Sequence, residues 1–382
     1  MRILYVAHFF RPYIGGLETI SETLVQGLGR RGFDFQVLTF SEDPRLPPED
    51  EWGGALIRRF DLTVALRSRD AGRITSIQRA VAAVSRDWEP DLVHVAFTPL
   101  DAFLTLGARL HHLAPVLVTF HGWWPVLDED NPTVTRRLLE QADWVTACSR
   151  ACLEEVWEFE PDVVDRSSWN PNGISPPHEP VRPVADGPPV VVGAGRLSEE
   201  KGFDVLLHAF AAVRKRVPEA RLVLAGRGFE EGPLKDLAAE LGIAEAVKFE
   251  GWVRREDMPA LLDRATVVAV PSRQEGFGMI ALEAAVRARP VVATRVGGLP
   301  EVIEDGVTGV LVDPDAPDQL ATAIDELIAD RARAARLAEA SRDRAERLFS
   351  EERLLTEHED LYRRLGARTR GAGGAVMMRA EP

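Results

Sequence analysis

Short apolar runs alternate with longer amphipathic stretches along most of the chain, and this alternation predicts strands and helices in turn. In the first half the apolar runs are rich in β-branched residues, as is typical of buried parallel strands. Helical periodicity separates them, for example over residues 17–31 and 73–87. The predicted strands are residues 3–7, 35–39, 92–96, 116–120 and 144–147. Strands and helices in this order predict a doubly wound parallel sheet.

A proline-rich break divides the chain near its middle. Seven of the nineteen residues from 171 to 189 are proline, a density that neither a helix nor a central strand tolerates. The alternation then resumes and predicts a second parallel sheet of similar size. Its predicted strands are residues 190–194, 221–225, 247–250, 266–270 and 291–294. Its predicted helices are residues 202–217, 233–241, 258–264, 278–286, 319–349 and 351–365.

The length of the chain agrees with this division. At roughly 100 to 200 residues per domain, a chain of 382 residues has room for two domains. The predicted segments are a Rossmann-like domain over residues 1–175, a Pro-rich hinge over 176–189, a second Rossmann-like domain over 190–349, a C-terminal helix over 350–365 and a flexible tail over 366–382. Two doubly wound domains of this kind predict a cleft between the carboxyl edges of their sheets, where open α/β sheets bind ligands.

Composition narrows the class of partner and the compartment. Acidic residues outnumber basic ones by 60 to 46, for a formal charge of -14, whereas nucleic-acid binding usually needs a basic face. We therefore expect no nucleic-acid partner. The two cysteines, Cys148 and Cys152, form no disulfide framework and indicate a reducing compartment. Apolar runs stay below the roughly 18 residues of a membrane span, so we predict a cytoplasmic protein.

The segment from Pro271 to Glu283 carries the clearest chemistry. It ends a predicted strand, turns through Gly276 and Gly278 and opens a helix. Glycines let a ligand approach the backbone, and the N–H groups at a helix start suit a phosphate. The carboxylates of Glu275 and Glu283 can accept hydrogen bonds from hydroxyls on either side of a diphosphate.

Two further loops carry candidate residues, and each follows the first strand of one predicted domain. In the second domain, Arg196 and Lys201 lie at the same sheet edge as Glu275, where two cations can bind a diphosphate and stabilise it as a leaving group. In the first domain, Gly15 and Gly16 open a helix, and their amides point towards the predicted cleft.

These motifs together resemble the retaining glycosyltransferases of family 4, which have the GT-B fold. The matching elements occur in the family's order over about residues 1 to 365. They are Gly15-Gly16, Pro171-Asn172-Gly173, Gly195-Arg196-Leu197 with Lys201-Gly202, the Glu275 and Glu283 pair, Gly297-Gly298-Leu299-Pro300-Glu301 and Gly306 with Gly309. The resemblance implies transfer of a sugar from a UDP- or GDP-linked donor to an acceptor hydroxyl, with retention of the anomeric configuration.

The resemblance also implies the role of each matching residue. Arg196 and Lys201 match the pair that binds the donor diphosphate, Glu275 the residue on the donor sugar and Glu283 the residue on the nucleotide ribose. The implied catalytic residues are Glu275, His121, Arg196 and Lys201. The implied donor-binding residues are Gly15, Gly16, Arg196, Lys201, Glu275, Gly276, Phe277, Gly278, Met279, Ile280 and Glu283. The second domain would bind the nucleotide sugar and the first domain the acceptor, and the C-terminal helix would cross back to the first domain.

The sequence defines the acceptor-binding residues and the choice of nucleotide base less closely than the donor site. Trp123 and Trp124 are the candidates for contact with a small-molecule, glycan or lipid-linked acceptor, because exposed indoles can stack on a sugar ring. Ser175 stands where many relatives have an aspartate, and the loop over residues 227–232 is slightly longer than usual. Both departures leave the choice of nucleotide base open.

No cofactor or essential metal is expected beside the nucleotide sugar. Residues 128–130 and 313–315 each read Asp-x-Asp, but such matches arise easily in an acidic chain, and Arg196, Lys201 and helix N-termini can serve the diphosphate. Two alternatives remain open: a nucleotide-sugar epimerase of the same fold, and a non-catalytic nucleotide-sugar-binding protein. A pyridoxal phosphate-dependent phosphorylase needs a lysine in the cleft to form a Schiff base, and it is disfavoured because Lys201, the only lysine placed there, is already assigned to the diphosphate.

One basic segment stands out in the acidic first domain. From Arg58 to Arg79 there are six arginines and two aspartates. This segment is either the solvated face of a helix that flanks the sheet or a patch for peripheral contact with an anionic membrane at its inner face.

Overall fold

The structure, a computed structural model, describes residues 1–13, 15–122, 132–177, 179–184 and 187–371. Contacts along the chain divide it into two units. The first unit consists of Met1–Cys148, Cys152–Asn170 and the C-terminal segment from Glu352, and the second of Ser149–Ala151 and Pro171–Glu351.

The first unit is built on one mostly parallel sheet. Its strands are β1 (Arg2–Ala7), β2 (Asp34–Phe40), β3 (Glu49–Trp52), β4 (Ala55–Phe60), β5 (Leu92–Ala96), β6 (Val116–Phe120), β7 (Trp144–Ala147) and β8 (Ser167–Trp169). Within the described residues they lie in the order β3-β4-β2-β1-β5-β6-β7-β8. Only the β3–β4 pair of this sheet is antiparallel among the described pairings. Every residue of β5 and β6 is buried, as expected for parallel strands covered on both faces.

Helices connect these strands and cover the sheet. They are α1 (Gly16–Arg30), α2 (Leu62–Arg67), α3 (Ala71–Trp88), α4 (Pro99–Gly107), α5 (Pro132–Gln141) and α6 (Arg150–Phe159). Thr98 caps α4 by accepting a hydrogen bond from the backbone N–H of Asp101, and Asp70 caps α3 in the same way.

The second unit repeats the design with a shorter sheet. Its strands are β9 (Val190–Ala194), β10 (Arg221–Ala225), β11 (Val247–Gly251), β12 (Val267–Val270), β13 (Val291–Thr294) and β14 (Val310–Val312), and its helices are α7 (Phe203–Arg216), α8 (Glu231–Glu240), α9 (Met258–Asp263), α10 (Met279–Val286), α11 (Leu299–Val302), α12 (Pro317–Ala329) and α13 (Arg331–Leu348). The described strands are all parallel, in the order β11-β10-β9-β12-β13-β14. This is a doubly wound order, in which strands are added to one side of β9 as far as β11 and to its other side from β12 onward, so the strand order reverses between β9 and β12.

The prediction of two doubly wound parallel sheets is confirmed, but four strands were not predicted, namely β3, β4, β8 and β14. β4 was missed because Arg58 and Arg59 interrupt its apolar run. β3 is acidic and largely exposed, while β8 and β14 have three residues each, so none of them shows a clear period-two pattern. The suggestion that the Arg58 to Arg79 segment lies along a helix is wrong at its start. Arg58 and Arg59 lie on β4, whose residues alternate between buried and half-buried.

The division between the units falls before the proline-rich segment. It lies at Asn170, five residues before the predicted end of the first domain, because Ile174 pairs within the second unit. The backbone N–H of Ile174 donates to the carbonyl of Phe349 at 2.8 Å, and that of Glu351 donates to the carbonyl of Ile174 at 3.0 Å. Further along, Arg287 donates to the carbonyl oxygens of Glu179 and Pro180.

The C-terminal helix α14 (Glu351–Gly371) belongs to the first unit from Glu352 onward. It extends six residues past the predicted end at residue 365, so the start of the predicted tail is helical. The helix continues through Gly366, which lies against Met1, so that an added Cβ would be 2.3 Å from the methionine Cε. Among the described residues, no helix has both the length and the hydropathy needed to cross a membrane.

Candidate functional site

The loops after β9 and β12 meet at the point where the strand order of the second unit reverses. Open α/β sheets bind ligands at the carboxyl ends of the strands beside such a point. The loop after β9 forms a 3-10 turn at Glu199–Lys201 and leads into α7, and the loop after β12 leads into α10. The sequence placed Arg196 and Lys201 in the first loop and Glu275 in the second, and the structure brings these loops together.

Lys201 and Glu275 form an ion pair at the centre of this site. Lys201 Nζ lies 2.8 Å from Glu275 Oε2, and the two side chains are 22% and 13% exposed. The Oγ of Ser272, which is buried, donates to the same Glu275 oxygen at 3.1 Å. Both contacts orient the Glu275 carboxylate before any ligand binds.

The turn into α10 brings its backbone close to neighbouring loops. Gly278 is the residue before the helix and has a φ of 96°, which favours glycine. Gly297 and Gly298 pack directly on Glu275 and Gly276. A Cβ at Gly297 would lie 1.7 Å from the Glu275 carbonyl oxygen, so only glycine allows this approach. The first N–H groups of α10 lack partners within the helix and can bind an anion.

The remaining donor-site candidates differ in what they expose. Met279 and Ile280 are half-buried in the first turn of α10. The side chain of Phe277 is buried, with its ring 5.4 Å from that of Phe349, so this residue can offer a ligand only its backbone. Arg196 is 71% exposed, and its Nη1 lies 3.9 Å from a carboxylate oxygen of Glu200. Such a weak exposed pair leaves the guanidinium able to turn towards a phosphate.

Glu283 lies one turn further along α10. Burial raises the pKa of its carboxyl to about 7, and the charge of Arg255 acts in the opposite direction. A carboxyl group with such a pKa exchanges its proton near neutral pH, which is a common property of functional sites.

The candidates in the first unit lie at the carboxyl edge of its own sheet. Gly15 and Gly16 start α1 after β1, and a Cβ on Gly15 would lie 2.3 Å from a carboxylate oxygen of Glu18. His121 follows β6 and is half-buried. Trp123 and Trp124 lie outside the described residues.

The Asp-x-Asp match at residues 313–315 is exposed, and both of its carboxylates are bonded to other side chains of the protein. Asp313 accepts a hydrogen bond from Gln319 at 3.0 Å, and Asp315 accepts one from Arg273 at 2.7 Å. The motif at residues 128–130 lies outside the described residues. In the part of the chain that the structure describes, no group of three or more His, Cys, Asp or Glu residues could hold a metal ion.

The basic segment is largely neutralised by neighbouring carboxylates. Four of its six arginines form ion pairs, namely Arg58 with Glu49, Arg59 with Asp50, Arg67 with Glu42 and Arg73 with Asp61. The guanidinium of Arg59 is nearly buried and also donates to the Arg11 carbonyl.

Two residues of the site were not assigned a role from the sequence. Ser272 lies three residues from its partner Glu275, whereas the side-chain partners of Arg273 are distant along the chain. Arg273 bonds to Asp204 and Asp315, which are 69 and 42 residues away. No local spacing could have indicated these bonds.

Comparison with protein families divides the chain into two matches. Residues 177–344 match the family described as Glycosyl transferases group 1. Residues 14–178 match the family described as Glycosyltransferase Family 4. Together they cover both units.

Curated relatives match nearly the full length. The chain is 31% identical to a glycogen synthase of Mycobacterium tuberculosis, over 95% of this chain and 94% of that protein. It is 32% identical to a GDP-mannose-dependent alpha-(1-6)-phosphatidylinositol monomannoside mannosyltransferase of the same species, over 90% of this chain and 93% of that one.

Solved structures share the fold at lower identity. Sucrose-phosphate synthase from Thermosynechococcus elongatus superimposes with a TM-score of 0.82 at 24% identity, covering 96% of this chain and 99% of that chain. Anabaena HepE in complex with UDP-glucose gives a TM-score of 0.76 at 22% identity, covering 96% and 100%. At these identities the likeness shows the fold alone.

Proposed function

The chain belongs to glycosyltransferase family 4 and is a glycosyltransferase of the GT-B fold, and on this basis we propose that it transfers a sugar from a nucleotide diphosphate sugar to an acceptor hydroxyl with retention of configuration. The observation that carries the proposal is the Lys201–Glu275 pair, 2.8 Å long, at the strand-order reversal of the second unit. A cation and an oriented carboxylate at this edge suit a diphosphate and the sugar attached to it.

The pair can serve both parts of the donor at once. An ammonium group has three N–H donors, so Lys201 can keep its bond to Glu275 and still donate to a phosphate oxygen. The Oε2 of Glu275 already accepts bonds from Lys201 and Ser272. Its other oxygen, Oε1, can accept a hydrogen bond from a hydroxyl of the donor sugar. Loss of either side chain would therefore disturb the position of the sugar relative to its leaving group.

The reaction chiefly needs stabilisation of the leaving group. The bond between the anomeric carbon and the diphosphate oxygen breaks, a bond from that carbon to the acceptor oxygen forms, and the acceptor proton passes to a donor phosphate oxygen on the same face. Negative charge grows on the diphosphate as this happens. We assign its stabilisation to Arg196, Lys201 and the backbone N–H groups of Gly276 to Ile280, which are fixed dipoles before the reaction begins.

The first unit would contribute its own residues to the reaction. We propose that Gly16, with Gly15, offers backbone N–H groups to the diphosphate, and that His121 contacts the reacting sugar. Support comes from their placement after β1 and β6, at the carboxyl edge where doubly wound sheets bind ligands. The acceptor is assigned to this unit, with Trp123 and Trp124 as candidate contacts.

The donor proposed here is a UDP- or GDP-linked sugar. One relative is named for its use of GDP-mannose, and one structural neighbour is solved with UDP-glucose. A thermal-shift panel of nucleotide sugars separates these choices, because a ligand that binds the folded state raises its melting temperature.

We further propose that no divalent metal is essential. The diphosphate charge would be carried by Arg196, Lys201 and the N-terminus of α10 instead. Transfer should then proceed at the same rate in excess EDTA as in added Mg²⁺, and a loss of activity in EDTA that Mg²⁺ restores would reject this part of the proposal.

The experiment that tests the proposed function measures the configuration of the anomeric carbon in the product. The enzyme is incubated with the donor identified by thermal shift and an acceptor, and the product is examined by proton NMR. The proposal predicts an acceptor-dependent product whose new bond has the donor's configuration. An inverted bond would reject the retaining mechanism, isomerised donor sugar without acceptor would indicate an epimerase, and binding without turnover would indicate a non-catalytic protein.

A further inference from the structure

Arg273 lies two residues before Glu275 and makes an unusually complete set of bonds. Its Nη1 and Nη2 donate to the two carboxylate oxygens of Asp204 at 2.9 and 2.6 Å. Its Nε donates to Asp315 Oδ1 at 2.7 Å, and Nη1 also donates to the carbonyl oxygen of Glu199 at 2.7 Å. The side chain therefore joins the loop after β9, the first turn of α7 and the loop after β14.

The backbone reinforces the same junction. The N–H of Arg273 donates to the carbonyl of Glu200 at 2.8 Å. Gly202, with a φ of 63°, packs on Pro271, and a Cβ there would lie 2.1 Å from the Pro271 carbonyl oxygen. The segment before Glu275 and the segment around Lys201 are thus in direct contact at several points.

The chemistry of the junction makes it rigid. Two parallel hydrogen bonds from a guanidinium to a carboxylate fix orientation as well as distance. The side-chain bonds to Asp204 are the main reason that the pKa of Arg273 lies above its ordinary value, so the group stays charged. Asp315 has a φ of 54°, a left-handed conformation that non-glycine residues adopt at a cost. Its bond to Arg273 helps to hold it there.

From this geometry we infer that Arg273 is a positioning residue that holds Lys201 and Glu275 in register for the donor. Lys201 is two residues beyond Glu199 and Glu275 is two residues beyond Arg273, so the bonds of Arg273 set the distance between the two loops that carry the pair. Arg273 acts through these loops and is assigned no contact with the donor. The link to catalysis rests on the proposed function, whereas the fastening of the two loops does not.

The size of the effect follows from the demands of catalysis. A displacement of about 1 Å at a reacting centre can cost on the order of 100-fold in rate. Loss of the Arg273 bonds should therefore lower kcat/KM for the donor by about 10- to 100-fold, with most of the loss in kcat.

The test compares Arg273→Met, which keeps the aliphatic stem, with Arg333→Met as a matched control. Arg333 forms an ion pair with Glu326 at 2.7 Å on the surface of the same unit. Donor kinetics and amide hydrogen exchange of residues 199–201 are measured for each. We expect Arg273→Met to lose activity and to exchange faster at residues 199–201, and Arg333→Met to match wild type in both. Asp315→Gly removes the acceptor of a single Arg273 bond and suits the φ of 54°, so it tests the same clamp, meaning the set of Arg273 bonds, if Arg273→Met does not fold.

A double-mutant cycle separates positioning from general weakening of the fold. If Arg273 positions Lys201, then Lys201→Arg, which keeps a cation and a residual rate, should lower the rate much less in the Arg273→Met background than in wild type. Independent effects that multiply would overturn the inference, as would Arg273→Met activity within about twofold of wild type. If wild type turns over no nucleotide sugar, the proposed function fails, and unchanged exchange at residues 199–201 in Arg273→Met would overturn the clamp separately.

Discussion

Glu283 lies in the second turn of α10, and burial raises the pKa of its carboxyl to about 7. In the ionised form it can accept hydrogen bonds from two ribose hydroxyls, whereas in the neutral form one oxygen carries a proton. With Glu283 assigned to the ribose of the donor, donor binding would favour the ionised form, so binding and ionisation would be linked. The charge of this single side chain should therefore make donor affinity depend on pH near neutrality.

The first prediction concerns that dependence. The ionised fraction of Glu283 falls about tenfold for each pH unit well below its pKa, so the Kd for a nucleotide sugar should rise as pH drops from about 8 to about 6. Glu283→Gln should bind more weakly at high pH and change little over this range. The Kd is measured by isothermal titration calorimetry. The ligand is the intact nucleotide sugar, because the terminal phosphate of a free nucleoside diphosphate would itself change its protonation over this pH range. Parallel pH profiles for wild type and variant would exclude Glu283 as the cause.

At the level of single residues, the sequence supplied the groups that bind but not the groups that orient them. Motif spacing indicated Arg196, Lys201, Glu275 and Glu283 as candidates for binding the donor. Arg273 could not be assigned a role, because its partners come from segments after other strands. Ser272 bonds to Glu275 three residues away but belongs to none of the motifs used. Hydrogen bonds between distant segments become visible only when the sheet order is known.

At the level of elements, a buried polar network joins α14 to the sheet of the first unit, to which the helix belongs from Glu352 onward. The Oη of Tyr362 lies 2.6 Å from Nδ1 of His94 on β5, and Nε2 of His94 lies 2.7 Å from Oγ1 of Thr119 on β6. Both rings are fully buried. Burial lowers the pKa of His94 well below its ordinary value, so the ring is neutral and both nitrogens are engaged.

The second prediction tests this network. Tyr362→Phe leaves His94 Nδ1 without this partner in a buried site, which should lower the free energy of unfolding by about 1–3 kcal/mol. The control is Tyr13→Phe, since the half-buried Tyr13 makes only a 3.5 Å contact with Ser41. Urea denaturation measures both. Equal stability of Tyr362→Phe and wild type would show that the bond contributes nothing.

Among the elements, those with strong periodicity were predicted within a few residues, and the short ones were not. β5, β6, β7, β9, β10 and β13 have the predicted ends because apolar runs of four or five residues are bounded by polar ones. β3 is stabilised by its pairing with β4 and not by its own sequence, since Glu49, Asp50 and Glu51 are poor strand formers. The prediction ended α14 before Gly366, a residue type that often follows a helix end, but the helix continues through it.

At the level of the whole molecule, the charge is negative on average and positive only locally. The formal charge is -14, yet Arg196 and Lys201 lie where a diphosphate would bind, and focused local charge can attract an anion to an acidic protein. The basic segment from Arg58 to Arg79 has a different character, because most of its arginines are paired.

The third prediction follows from that pairing. Arginines already bound to carboxylates attract anionic lipid weakly, so recovery in the supernatant after liposome sedimentation should be the same with neutral and with anionic vesicles. Replacing Glu42, Glu49 and Asp61 with their amides frees three arginines and should increase sedimentation with anionic vesicles. If wild type sedimented strongly with anionic vesicles and not with neutral ones, the prediction would be wrong and the segment would be a membrane-contact patch.

The fold of the whole molecule was predictable because it depends on alternation and order. Two doubly wound sheets follow from strands and helices that repeat along the chain. The unit boundary was predicted five residues late because Ile174 pairs with the segment around Phe349, which the local pattern does not reveal. The identities of the donor and the acceptor could not be predicted from the alternation of strands and helices, because specificity depends on contacts made by side chains on loops.

The most direct test of the donor site compares Lys201→Ala and Glu275→Ala with Lys235→Ala. Lys235 is an exposed lysine of the same unit, paired with Glu231 at 2.7 Å. Transfer from the nucleotide sugar is measured for each variant after circular dichroism has shown that it is folded. Lys201→Ala and Glu275→Ala should abolish transfer, whereas Lys235→Ala should keep the wild-type rate. Wild-type rates in both site variants would show that the Lys201–Glu275 pair is not the donor site.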